Sequence, residues 1–125
     1  MKRYRFKNLN PEEKMIDDCT VRALSLVSGI DWEVIYNDLC DIGLYIHAMP
    51  STNETWGAWL EANGWAMREL QGVPEDYSVK EFCATHPRGA YVLALKNHVV
   101  GVVNGYYYDT WDCGERPVLF YWEEV

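Results

Sequence analysis

No stretch of this chain approaches the roughly 18 consecutive apolar residues that a membrane span needs, so no membrane partner is expected. Basic residues are scarce: 11 Lys and Arg stand against 19 Asp and Glu, a net charge of −8. Phosphate binding needs a surplus of cations, so nucleic acid is not expected as the partner either. The four cysteines, Cys19, Cys40, Cys83 and Cys113, include no C-x-x-C pair, which argues against a structural zinc site. The opening "MKRYRFKNLN" is basic but lacks the apolar run of a secretion signal, so the thiols read as reduced and the protein as soluble and intracellular. Repeats, low-complexity tracts and linkers are also missing. With 125 residues, the expectation is one domain spanning 1–125 around a single core.

What is present is aromatic and patterned, with nine tyrosines and six tryptophans. Ala23, Leu24 and Val27 recur at helical spacing between about Asp18 and Ser28, and Gly29 can end that helix. A second helix is expected from Asp31, as N-cap, to about Cys40, burying Val34, Ile35 and Leu39. Ser51 with Glu54, and Ser78 with Glu81, have the spacing of capping boxes for two more, closed by Gly64 and Pro87. After Pro87 the residues become β-branched and aromatic, with Asn104-Gly105 as a hairpin turn, and "VLFYWEE" adds a last strand. Helices first and an antiparallel sheet afterwards is an α+β layout. The basic start and acidic end suggest that the termini are neighbouring strands, with a small basic contact surface as the alternative.

With Asn104 and Gly105 as the loop residues, Val100 faces Asp109 and His98 faces Trp111. Alternation then puts His98, Val100, Asp109 and Trp111 on one face, with Asp109 diagonal to His98 and Asp112 turned away. A one-residue slip would exchange Asp109 for Asp112. Cys19 lies in the first turn of its helix, where unpaired N–H groups and the helix dipole favour thiolate. A nearby histidine would favour it further. Asp17 and Asp18 oppose this, unless a carboxylate is used as the N-cap, pointing into the helix backbone.

A helix-start cysteine, a strand histidine and a carboxylate on the next strand, in that order, resemble the papain-like cysteine peptidase superfamily. The pieces "DCTVRALSLVSG", "MP", "GW", "HVVGVVNG" and "DTWD" are similar to a group of small papain-like proteins from phages and Firmicutes, reminiscent of the bacteriocin-processing peptidases. The resemblance runs from about Asn10 to Asp112 and implies a papain-like fold. It implies Cys19 as nucleophile, His98 as general base and acid, and Asp109 as the residue that orients His98, acting on a protein or peptide substrate without metal or organic cofactor. It also implies a cytoplasmic setting, in a bacterium or a phage-infected host cell. Such enzymes usually carry an oxyanion-donating glutamine shortly before the cysteine. Here Glu13 stands there, and a carboxylate cannot donate. Asn10 is the nearest amide and the expected oxyanion donor, with Asn8 second.

Plainer roles exist for each of these residues. A cysteine or a strand histidine is often a core residue. Asp112 can cap the turn at "DCGER". Arg22 can form an i,i+4 pair with Asp18. His47 and His86 read as structural or exposed, and Cys40 and Cys83 as small core hydrophobes. Cys113, beside a glycine, can be an exposed second thiol. Trp56, Trp59, Trp65 and Trp111 read as core or groove walls. A papain-like module that binds and sequesters a host or phage partner is the alternative to catalysis.

Overall fold

The computed structural model describes residues 2–125 and has four helices and one six-stranded sheet. In chain order these are β1 (Tyr4–Phe6), α1 (Cys19–Ser28), α2 (Trp32–Ile46), α3 (Asn53–Ala62) and β2 (Trp65–Glu69). Then come α4 (Val79–Thr85), β3 (Ala90–Leu95), β4 (His98–Val103), β5 (Tyr106–Asp109) and β6 (Phe120–Glu124). The strands lie in the order β1-β5-β4-β3-β6-β2, all antiparallel except the β1–β5 pair. The α+β class is as expected, but the helices do not all come first: β1 precedes α1, β2 lies between α3 and α4, and the parallel β1–β5 pair makes the sheet mixed. No helix among the described residues is long and apolar enough to cross a membrane.

Alternation along β3 and β4 builds two cores. Val92, Ala94 and Val99 pack with Leu24 of α1, Ile35 and Leu39 of α2, and Trp56, Trp59 and Leu60 of α3. Leu93, Val100 and Val102 pack with Val79, Phe82 and Cys83 of α4 and with Tyr107. Glycine suits position 101, where α1 crosses β4: a Cβ there would lie 2.6 Å from Leu26 Cδ2, which would have to shift. That close approach presses α1 onto the strand that begins with His98.

The β4–β5 hairpin has the expected register, with Val103 opposite Tyr106 and Gly101 opposite Tyr108. Asn104 and Gly105 carry the positive φ angles, 49° and 80°, that a tight primed turn demands. Continued outward, this pairing puts Val100 opposite the level of Asp109. A second tight hairpin was not anticipated: Leu95 pairs with His98 across Lys96-Asn97, where Asn97 takes φ 57°. The run after Pro87 is therefore three strands.

Other expectations need correction. The termini are not neighbours: β1 runs parallel to β5, while β6 lies three strands away between β3 and β2. The free edge of β5 and the pairing of β2 with β6 decide that arrangement. α2 runs past Cys40 to Ile46, because no glycine-turn or proline interrupts it before Pro50, and Val34 lies on its exposed side. Asp31 makes no side-chain cap. α3 is capped by Thr52, whose side chain accepts from the Thr55 N–H, so the Ser51–Glu54 box does not form. The Ser78–Glu81 box does form, in both directions.

Candidate functional site

The packing of α1 on β4 brings the helix start to the end of the sheet where β4 begins and β5 stops. Cys19, His98 and Asp109 meet there. His98 Nε2–H donates to Asp109 Oδ2 at 2.6 Å, which leaves Nδ1 free of that bond, and Cys19, on the same cleft, is the other side chain that raises the imidazole's titration. Cys19 is half-buried, while His98 and Asp109 are buried. Asp109, not Asp112, is the carboxylate that bonds His98, the pairing that the hairpin register leads one to expect. Asp112 accepts instead from the Tyr107 hydroxyl and from the Gly114 N–H, capping the turn that follows β5.

Charge in this cluster is set by partners rather than by burial. Burial pulls the His98 titration down, but the hydrogen bonds to Asp109 and Cys19 outweigh it and raise it to about 9. Burial pushes Asp109 up, yet His98 and Arg22 together hold it below the usual carboxylate range. An imidazolium facing a carboxylate is therefore the resting state near neutral pH. Trp111 covers the imidazole, with ring centroids 4.7 Å apart, and is itself half-exposed at the rim. Trp56, Trp59 and Trp65 are core residues.

Asp18 precedes Cys19 but does not cap α1 with its side chain. Its carboxylate accepts from Arg22 Nε at 2.7 Å, from Trp32 Nε1 at 3.0 Å and from Asn10 Nδ2 at 3.3 Å. The first-turn N–H groups are thereby spared a carboxylate and can serve another acceptor. Asn10 is consequently not a donor facing the thiol. Its amide goes to Asp18, its oxygen accepts from the N–H groups of Glu12 and Lys14, and it lines a separate depression beside Pro11 and Trp32. Asp18 captures the amide that was the expected oxyanion donor. Asn8 is likewise held, through Asn10 N–H and the Lys14 carbonyl.

Cys19 and His98 line an open cleft of about 610 Å³. Its other walls include Asp17, Thr20, Ser51, Asn53, Lys96 and Asn97. The amides of Asn53 and Asn97 were not singled out in the sequence. The Lys96-Asn97 pair just ahead of the histidine is a turn signal that could have pointed to Asn97. A smaller apolar hollow of about 150 Å³, walled by Ile16, Val21, Trp32, Tyr36 and Leu39, shares Asp17, Thr20 and Ser51 with the cleft.

Cys113 departs from its expected exposure. It is buried, with its thiol donating to Asp109 Oδ2 at 3.4 Å. Burial first, and the Asp109 charge second, drive its titration far up, so it stays a thiol. His98, Asp109 and Cys113 have ligand atoms within 4.8 Å of one another. Asp109 already receives the Arg22 guanidinium at 2.9 Å, so a metal cation would have to compete with a resident one. Cys83 is buried and its thiol pushed up to about 12, a core hydrophobe as read, whereas Cys40 is only half-buried. His86 stacks on Phe82 and His47 closes α2 in a left-handed conformation, both structural placements. Arg22 does pair with Asp18, but it also reaches Asp109, a contact the sequence did not reveal. Comparison of the chain with protein-family models, curated proteins and solved structures finds no match.

Proposed function

We propose that this chain is a cysteine-dependent hydrolase of papain-like type, a peptidase, isopeptidase or amidase that acts through an acyl-enzyme. The observation that carries this reading is the relay from Cys19 through His98 to Asp109 along an open cleft, with His98 Nε2 only 2.6 Å from the carboxylate. The Cys19 sulfur, its proton resting on the His98 imidazolium, attacks the substrate carbonyl carbon as the thiolate, and the carbonyl π pair moves to oxygen. Collapse of the tetrahedral adduct breaks the C–N bond, and the departing nitrogen takes a proton from His98 Nδ1. Water then gives a proton to His98 and attacks the thioester, releasing the acid and restoring the thiolate beside the imidazolium. Asp109 holds the imidazole ring through both steps. Oxyanion stabilisation falls to the backbone N–H groups at the start of α1, which Asp18 does not occupy. The apolar hollow beside the cleft gives a peptide side chain a place to sit. The cytoplasm is the compartment where such a thiol stays reduced.

The second reading, a papain-like module that binds and sequesters a protein partner, is favoured by one observation: the Asn10 amide is engaged by Asp18 rather than turned to the cleft. A mixture of peptides and acyl-amide reporters, incubated with wild type and with Cys19→Ala, separates the two. Cleavage lost in Cys19→Ala supports the hydrolase. Absence of any cleavage, with Cys19 alkylated no faster than Cys40, removes it and leaves the binding module.

A further inference from the structure

Arg22 stands one turn after Cys19 on α1 and is a buried cation with 8% of its side chain exposed. Its Nε–H donates to Asp18 Oδ1 at 2.7 Å and its Nη1–H to Asp109 Oδ1 at 2.9 Å. Asp109 uses its other oxygen, Oδ2, for His98. One planar guanidinium therefore ties the helix that carries the thiol to the carboxylate that orients the base. Asp18 is braced in turn by Trp32 and Asn10, so the fork has a fixed anchor. A buried guanidinium is costly unless its partners are well placed, and here both are, in the bidentate manner that Arg and not Lys provides.

We propose that Arg22 is the positioning residue of this site: it fixes which oxygen of Asp109 meets His98 and keeps the Cys19 helix in register with the imidazole. The consequence for turnover rests on the hydrolase reading; the consequence for His98 does not. Without Arg22, Asp109 Oδ1 keeps only the Thr110 N–H, at 2.7 Å, and the carboxylate is free to turn. The groups facing the His98–Asp109 pair come from three places. They are Cys19, Arg22 and Asp18 from α1 and its entry, Trp111 and Cys113 from the segment after β5, and Tyr4 from β1. The Tyr4 hydroxyl donates to the Asp109 backbone carbonyl at 3.2 Å. Arg22 supplies the positive charge that competes with imidazolium for Asp109, and Asp18 draws part of that charge away.

Removing Arg22 and removing Asp18 must then move His98 in opposite directions. The test is an NMR titration of the His98 ring in the full chain. Arg22→Gln raises its pKa above the resting value of about 9 by about one unit. Asp18→Asn lowers it by about half a unit. A residue that merely braces the fold gives a different pattern: both variants loosen the pair and move His98 downward together. An Arg22→Gln protein with His98 unchanged or lowered, or an Asp18→Asn protein with His98 unchanged or raised, overturns the proposal. If Arg22→Gln does not fold, Arg22→Lys decides: a His98 titration near wild type supports the proposal, and one lowered together with that of Asp18→Asn overturns it. Arg22→Lys keeps the charge and loses the fork, so it leaves the titration near wild type while lowering kcat about tenfold at unchanged KM. Unaltered kcat in that variant refutes the positioning role. A protein with no turnover at all refutes the hydrolase instead, and the His98 titration still reads the part played by Arg22.

Discussion

Replacing Asp109 by Asn tests the electrostatics of the site through stability, without any need for a substrate. His98 has 8% of its side chain exposed and titrates at about 9 in the folded chain, against 6.5 when unperturbed. Its raised value means that folding favours the protonated ring. The stabilisation is fully present below about pH 6.5 and is lost as pH rises through about 9. The shift of about 2.5 units, at about 1.4 kcal/mol per unit, corresponds to roughly 3 kcal/mol. Asp109→Asn removes the charge that raises His98, and burial then pulls the ring's titration down. The stability gap between wild type and Asp109→Asn should therefore shrink by about 3 kcal/mol between pH 6 and pH 9.5. In a domain of this size that corresponds to roughly 10 °C in Tm. Urea unfolding followed by tryptophan fluorescence at a series of pH values measures it. A gap that stays constant across that interval refutes the reasoning, because the ion pair would then contribute nothing that titrates there. On the acid side the sign reverses. Asp109 is held below the usual carboxylate range, so its contribution is present above that range and is lost as pH falls through it.

The remaining expectations are briefer. Iodoacetamide at pH 6 should modify Cys19 well before Cys40 and Cys83, and Cys113 should resist until the chain unfolds; mass spectrometry of the digested protein reads the order. Asp109→Asn should slow Cys19 alkylation by a large factor, whereas Asp112→Asn, which weakens the bonds from Tyr107 and Gly114 but does not touch His98, should cost stability of about 1 kcal/mol and leave the rate alone. Gly101→Ala should destabilise by about 1–3 kcal/mol, since its Cβ meets Leu26 Cδ2 at 2.6 Å; an unchanged Tm would mean that α1 does not press on β4 as described.

Much of this site could be read from local pattern. Asn104-Gly105 fixes a two-residue turn because few residue pairs tolerate its positive φ angles, and the turn fixes the register. Register and alternation together put His98 and Asp109 on one face and turn Asp112 away, so the pairing of His98 with Asp109 followed from counting. Ser78 and Glu81 declare a helix start because their reciprocal cap closes within one turn. These are short-range effects, each settled by a few neighbouring residues.

What lay beyond the sequence was settled by contacts between distant segments. β1 chose β5, not the acidic last strand, because β5 had a free edge and β6 was taken by β3 and β2. Asn10 turned away from the cleft because Asp18, eight residues on, offered its amide a buried acceptor. Asp18 left the helix end because Arg22 and Trp32 claimed its oxygens. Arg22 looked like an ordinary i,i+4 partner, and only the packing of α1 on β4, allowed by a glycine at position 101, carried its second nitrogen to Asp109 across 87 residues of chain. Local hydrogen bonds and alternation are written in neighbouring residues, but the choice among competing buried partners depends on which groups desolvation brings together. That was decided by the tertiary structure alone.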